Sequence, residues 1–408
     1  MRLSNSISNS KTFLVSSEQF FYVFFFLWWT RYTFLVFFTR IFKGLPIIGP
    51  IAEYIIPTFM AVMLGFALPY IFKQLRYKDL LFGLLALLVV LGTMLLYSKN
   101  APFIQEDLWR ILGLTISAYF LGLCYNHQKL KKSLYWASAA SVVLMYAYQL
   151  YQLSLNRDLS TDNMYASYNA LPSVLFLIYW AFDKKKLCHW ILPVVGIVLI
   201  FSYGTRGSIL VLGVYIAANC MIKVFLGRRG LLRILFLFII VAFVVLLFTT
   251  TILEDMAENL SELFYEFGFS TRIFDYFIGG KITDDSGRSP LFKAVWQNIK
   301  ENPVLGSGFY GDRPVIGSYV HNLFLELWCH YGIILGTLAI LCVFILPIRA
   351  VTQVRRADSV NMVLLLCCLT FVKLMVTGTY ADEPYLFLMI GLSTRLLRQK
   401  PKSEVCDE

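Results

Sequence analysis

The sequence predicts an all-α, polytopic membrane protein of about twelve transmembrane helices with one large outer loop. Three observations predict it: the composition, the recurrence of apolar stretches long enough to span a bilayer, and the alternation of charge between successive loops. The 408 residues are 58% hydrophobic and 15% charged, with a mean hydropathy of +0.66. A soluble domain carries roughly 45–50% apolar and about 25% charged residues. The 35 Phe and 24 Tyr suit membrane interiors and interfaces. A net charge of +11 in a soluble chain would suggest nucleic acid. Here lysine and arginine are expected to collect in cytoplasmic loops, so no nucleic-acid partner is expected.

Spanning stretches of about twenty residues fall near 20–38, 47–72, 79–97, 108–125, 134–153, 166–182, 187–203, 208–225, 231–253, 322–348, 360–377 and 385–397. The first is interrupted by Arg31 and is expected either to continue or to end there, leaving 32–43 in the interface. Its apolar stretch is too long for a cleavable leader, and no small-residue cleavage pattern follows it. Basic clusters at Lys73/Arg76/Lys78, Lys129/Lys131/Lys132, Lys184/Lys185/Lys186, Arg228/Arg229/Arg233, Arg355/Arg356 and Arg395/Arg398/Lys400/Lys402 occupy every second loop. The loops between hold Glu106/Asp107, Asp158/Asp162 and Asp382/Glu383. This alternation places both termini in the cytoplasm and the long loop, 254–320, outside. Residues 1–408 thus read as a single integral membrane domain.

The loop has its own pattern. Residues 254–267 put Met256, Leu260, Leu263, Phe264 and Phe267 on one helical face. Ser289-Pro290 is expected to open a second helix as N-cap and first-turn proline. Its apolar stripe is Phe292, Val295, Trp296 and Ile299, and Asn302-Pro303 ends it. A glycine-rich turn, 306–311, follows. The eight cysteines form no C-x-x-C pair, so neither a disulfide framework nor a zinc site is expected.

Candidate chemistry lies on the outer side. Arg206, in the tight turn Ser202-Tyr203-Gly204-Thr205-Arg206-Gly207-Ser208, is either a snorkelling anchor or a cation lining a cavity. Arg288, just before the Ser289 helix, would join a full charge to free helix N–H groups, a good phosphate site. Arg272 and Arg313 are weaker candidates, expected to be solvated. His321, beside Asn322 at the mouth of the tenth span, is a potential base near neutral pH. Glu326 and His330, four apart, are expected to form a structural pair. Lys373 either snorkels or serves as a further phosphate cation. The sequence holds no G-x-x-x-x-G-K-[ST] and no D-x-D, so neither an ATP-driven pump nor a metal-bound nucleotide-sugar enzyme is indicated. The acidic pairs Glu106-Asp107 and Asp382-Glu383 read as solvated loop acids.

Three places together resemble the O-antigen polymerase and ligase family of bacterial surface-polysaccharide assembly. They are Tyr203-Gly204-Thr205-Arg206-Gly207; Gly287-Arg288 with the Trp296 helix and Asn302-Pro303-Val304-Leu305-Gly306-Ser307-Gly308; and His321-Asn322-Leu323-Phe324-Leu325-Glu326 running on to Tyr331-Gly332-Ile333-Ile334-Leu335-Gly336. The resemblance covers about a third of the chain. It implies a fold like that of GT-C-type membrane glycosyltransferases in a bacterial cytoplasmic membrane. It also implies glycosyl transfer from a polyprenyl-diphosphate-linked oligosaccharide at the outer leaflet, with no metal or other cofactor required. By resemblance Arg206 and Arg288 would hold the diphosphate and His321 would position or deprotonate the acceptor. Arg272, Arg313, Lys373, Asn322 and Glu326 would complete the substrate site. Flippase and chain-length regulator proteins are implied partners.

A polymerase of repeat units is favoured. The close alternative is a ligase that moves a finished chain to another acceptor. A lipid-linked sugar flippase is a rival of another class, but it should show two related halves, and none is seen. A metal-dependent glycosyltransferase using Glu106-Asp107 would need a substantial soluble domain after the spans.

Overall fold

The computed structural model describes residues 2–42, 49–154, 163–226, 252–271, 274, 278, 287–353 and 357–399, and its regular elements are all helices. They are α1 Arg2–Phe42, α2 Gly49–Gln74, α3 Tyr77–Leu96, α4 Ala101–Cys124, α5 His127–Ser154, α6 Asn163–Lys184, α7 Leu187–Ser202, α8 Arg206–Leu226 and α9 Ile252–Glu266. After these come α10 Arg288–Glu301, the single turn α11 Arg313–Ile316, α12 Leu323–Gln353, α13 Ala357–Cys367 and α14 Pro384–Arg398. α4 contains a π-helical turn, Ile111–Ile116, and α13 runs into another, Cys368–Val372.

The expectation of twelve spans is met in part. Among the described residues five helices are long and apolar enough to cross a membrane: Ser16–Thr39, Tyr54–Gln74, Tyr77–Leu96, Ala101–Cys124 and Leu323–Gln353. Leu187–Ser202, Arg206–Met221 and Val360–Val372 are shorter apolar helices. The predicted spans 134–153 and 166–182 are helical, within α5 and α6. They carry buried Ser138, Ser141, Gln149, Ser167 and Ser173, which lower their apolar character. The predicted span 231–253 lies almost wholly outside the described residues. Arg31 does not end the first helix. α1 runs through it, with the guanidinium buried and 4.5 Å from the Tyr32 ring centroid.

The chain forms two compact units. The first comprises Met1–Trp28, Thr58–Ser133 and Ser286–Glu408. Its closest helix contact joins α4 to α14, where glycines let the backbones touch. A Cβ on Gly391 would lie 2.1 Å from the Tyr119 carbonyl oxygen, and one on Gly122 would lie 2.4 Å from that of Leu388. Close approach through small residues is how apolar helices associate in lipid. At one end of the unit Arg398 pairs with wholly buried Asp79, Arg395 donates to the Leu123 carbonyl at 2.8 Å, and Lys129 meets Glu18 at 2.7 Å. About 30 Å away along α3, Asn100 donates to the Ser307 and Phe309 carbonyls at 2.8 and 3.0 Å. There the Tyr310 hydroxyl also donates to Asp107 at 3.1 Å. Loops that the charge alternation assigns to opposite sides therefore gather at opposite ends.

α12 is not the single continuous span expected. It breaks at Gly332 (φ 74°, ψ 173°). A break orphans backbone groups, which must find partners when buried. The glycine-rich turn supplies them: Ser307 N–H donates to Cys329 O at 2.7 Å and Gly308 N–H to His330 O at 3.0 Å. In return Ile333 N–H donates to Pro303 O at 2.8 Å. The backbones are so close that a Cβ on Gly332 would sit 2.2 Å from Val304 O. α10 lies against the same place, with Val295 and Ile299 packed on Val320 and Cys329. The amphipathic stripe of α10 thus rests on the protein's own core, although Trp296 stays at the edge, 41% exposed.

The second unit comprises Trp29–Pro57 and Leu134–Asp285. Its helices are tied by buried polar contacts: Trp29 to Ser138 at 3.2 Å, Gln149 to Ser202 at 2.6 Å, and Ser167 to Ser208. In α9 the face that packs on Ile209 and Phe274 carries Ala257 and Phe264. Leu260, Leu263 and Phe267 of the predicted stripe are exposed. Residues seven apart share a face, so the contact with α8 selects a narrower stripe than the sequence pattern suggested.

Candidate active site

The site of the first unit is built from the segment 309–321, the N-terminal half of α12, and the turn before α14. Asp312 and His330 are both fully buried, with Asp312 Oδ1 2.9 Å from His330 Nε2. Asp312 Oδ2 accepts from Arg313 Nη1 at 2.9 Å and from the Val320 backbone N–H at 3.0 Å. His330 Nδ1 lies 2.8 Å from the Tyr380 hydroxyl, which in turn reaches Tyr331 Oη at 2.9 Å. Burial alone would raise the pKa of Asp312. The hydrogen bond and charge of His330, the charge of Arg313 and the Val320 amide outweigh it and hold Asp312 below the ordinary carboxylate value. Sequence reasoning missed Asp312 altogether, because nothing in its local pattern marks it.

Arg313 was expected to be solvated, and the structure corrects this. Its side chain is 7% exposed, with the guanidinium 4.6 Å from the Tyr310 ring centroid and 5.1 Å from that of Tyr319. Tyr319 also stacks edge-on against His321, 4.3 Å between centroids. Tyr310, Arg313, Tyr319 and His321 therefore form one continuous stack, anchored at Arg313 by Asp312.

His321 has a left-handed backbone (φ 57°), which costs of order 1–3 kcal/mol for a non-glycine residue. Its Nδ1 is buried with no partner among the described residues. Burial, then the charges of Arg288 and Arg313, hold its pKa below the ordinary 6.5, with Asp312 opposing. The imidazole is thus kept neutral and able to accept a proton at neutral pH. The two arginines Arg288 and Arg313 thus act together on an unprotonated His321.

Arg288 is not one residue before an N-cap, as expected. The N-cap is Gly287 (φ 75°), and Arg288 is the first helical residue of α10. The left-handed glycine turns the chain into the helix before Ser289 can cap it. Arg206 is likewise the first residue of α8, two residues after left-handed Gly204. Its turn is pinned by Gln149 on Ser202 and by Ser270 N–H on Ser202 O at 3.1 Å. The positive end of a helix dipole disfavours a cation there by roughly 0.3–1 kcal/mol. An arriving anion relieves that cost, which suits both arginines to phosphate.

The other expected residues are placed differently. Arg272 lies outside the described residues. Asn322 caps α12, its side-chain oxygen accepting from Phe324 and Leu325 N–H at 3.0 and 3.1 Å. Glu326 is buried and accepts from the Thr379 hydroxyl and from Tyr380 N–H, the latter at 3.1 Å. Its hydrogen bonds run to these groups rather than to His330, because residues 379–380 pack across that face of α12. Lys373 is paired with buried Glu383, so its charge is met within the protein. Of the acidic pairs read as solvated, Glu383 is buried, and burial pushes Asp382 up to about 6 against the pull of Arg110.

Asp312, Glu326 and His330 each offer a metal-ligating atom, all within 4.8 Å of one another. Asp312 is already bonded to Arg313, Val320 and His330, His330 also to Tyr380, and Glu326 to Thr379 and Tyr380. The donor set fits a satisfied polar network better than an ion site.

Residues 191–341 match the family model described as O-antigen ligase. All three sequence motifs lie within that segment. The match supports the O-antigen polymerase and ligase family, whose members are glycosyltransferase-like membrane enzymes acting on lipid-linked oligosaccharides. The match supports a function of O-antigen polymerase or ligase type. No curated protein and no solved structure matches the chain.

Proposed function

We propose that this protein is a metal-independent polymerase. It joins polyprenyl-diphosphate-linked oligosaccharide repeat units into an O-antigen, capsule or exopolysaccharide chain at the outer leaflet of a bacterial cytoplasmic membrane, on a GT-C-like fold. The observation that carries the reading is partly buried His321, its Nδ1 without a partner among the described residues and its ring against Tyr319, where the charges of Arg288 and Arg313 favour the unprotonated form. The acceptor hydroxyl oxygen attacks the anomeric carbon of the donor. The bond to the diphosphate breaks, its electron pair leaves on the diphosphate oxygen, and the hydroxyl proton passes to His321. Arg288 stabilises the departing charge; a charged hydrogen bond of this kind contributes roughly 1.5–3 kcal/mol. Arg206 is assigned the same role from its motif and its place at the start of α8. Binding of the diphosphate also screens the arginine charges that depress His321, so the base strengthens as the substrate arrives.

Reconstitution with a defined lipid-diphosphate oligosaccharide tests this. Longer lipid-linked chains with release of polyprenyl diphosphate are expected. Translocation of the substrate with no new glycosidic bond would sink the enzyme reading. Transfer only to a second acceptor of another kind would favour the ligase.

A further inference from the structure

The Asp107–Arg110–Asp382 rim is partly exposed and internally paired. The Asp312, Glu326 and His330 groups are already hydrogen-bonded to protein partners. The Asp312–His330 pair carries more, because every one of its bonds leads to a residue of the site or to the element that supports it.

We propose that Asp312 and His330 are a buried positioning pair, which holds Arg313 and the His321 backbone in the arrangement that glycosyl transfer uses. The proposal rests on the reading of His321 and Arg288 as reacting groups. Neither member of the pair touches the substrate; both are fully buried. One oxygen of Asp312 faces His330, and the other is shared by Arg313 and the Val320 N–H. Val320 immediately precedes His321, whose left-handed backbone must be held by its surroundings. The carboxylate therefore fixes both ends of the segment 313–320 through a single group. His330 is fixed in turn by α12 and by the Tyr380 hydroxyl. The helix break at Gly332 and the Ser307 and Gly308 N–H groups set the carbonyls of Cys329 and His330. Position thus passes from the membrane helix through His330 and Asp312 to Arg313, Tyr319 and His321. Loss of the Asp312 charge also removes an anion that opposes Arg288 and Arg313 at His321.

The test compares full-length wild type with Asp312→Asn and Tyr380→Phe, reconstituted in lipid nanodiscs, with His321→Gln as the inactive reference. Two readouts are used. The first is turnover of a lipid-diphosphate oligosaccharide. Asp312→Asn is expected to lower kcat at least tenfold with little change in KM, and to move the acid limb of the pH profile downward. The second needs no turnover. In protein labelled on its four histidines, the His321 ring resonance, assigned by its loss in His321→Gln, should titrate at lower pH in Asp312→Asn. Identical His321 titration together with wild-type kcat overturns the proposal. If wild type shows no transfer at all, the polymerase reading fails, and the resonance alone decides the positioning. Where Asp312→Asn does not fold, Tyr380→Phe decides, since it removes only the hydroxyl that holds His330. A kcat or His321 resonance altered in the same direction supports the proposal, and wild-type values for both overturn it.

Discussion

Asp312 and His330 lie 2.9 Å apart with no solvent on either, and the Asp312 carboxylate also bonds the N–H of Val320, the residue before His321. A buried carboxylate with several donors is costly to disturb, because removing one partner leaves the others unsatisfied. The site thus has a rigid back, formed by this pair, and a front formed by the neutral His321 and the cationic Arg288.

The acid limb of activity reports on His321. Its pKa lies below 6.5, through burial and then the charges of Arg288 and Arg313. The active form is the unprotonated one. The midpoint of the acid limb of kcat/KM should therefore lie below pH 6.5, with activity lost as pH falls through it. A limb at or above pH 7 would remove His321 as the base. His321→Gln should lower kcat by about 10²–10⁴, the usual contribution of a general base.

Arg288→Ala should lower kcat/KM by roughly tenfold to a hundredfold or more, as expected for one charged hydrogen bond of about 1.5–3 kcal/mol to the transition state. Arg288→Lys should recover part of this, since the charge remains but the fork is lost. Membrane insertion and thermal stability should be unchanged, because Arg288 is a partly exposed first-turn residue. Wild-type chain length in Arg288→Ala would exclude it from the site.

Arg398→Ala tests the opposite end of the unit. It strands Asp79, which is wholly buried and also accepts from Arg76 N–H at 2.8 Å. Leaving a buried charge without its partner costs about 3–5 kcal/mol. A large fall in melting temperature in detergent is expected, with residual activity per folded molecule preserved. An unchanged melting temperature would show that the pair adds little to stability.

Gly332→Ala tests the docking of the glycine-rich turn on the broken helix. The added Cβ meets backbone at Val304 O, 2.2 Å away, at a residue with φ 74°. Neither feature can relax through a side chain. Poor folding is expected, whereas Gly317→Ala, which meets nothing within 4 Å at φ 69°, should pay only the backbone cost of about 1 kcal/mol. Equal stability of the two variants would show that the close approach is not needed.

The polar donors of Asp312, Glu326 and His330 are in use, so divalent metal should be far below one equivalent after purification. Chelation should change neither melting temperature nor turnover. A stoichiometric ion whose removal lowers both would overturn this and recast the three as ligands.

The sequence by itself determined what depends on local pattern and on the membrane. Runs of apolar residues can satisfy their backbone in lipid only as helices, and so the helical class was legible from composition and spacing. Charge alternation anticipated which loops of the first unit gather together, such as 100–107 with 307–310. The ordered motifs also named Arg206, Arg288 and His321 as the residues to examine. Only the tertiary structure decided how these groups are supported. Asp312 carries no motif, and its importance comes from three atoms converging on it from 313, 320 and 330. Arg313 looked solvated because a loop arginine usually is, yet two tyrosine faces and a carboxylate bury it. Lys373 looked available, yet Glu383 meets its charge. The break at Gly332 was hidden in a continuous apolar run, because a helix break leaves no mark when its partners come from another segment. Periodicity reports which face of an element is apolar. It does not report which distant residue arrives there, and at this site the arrivals set the chemistry.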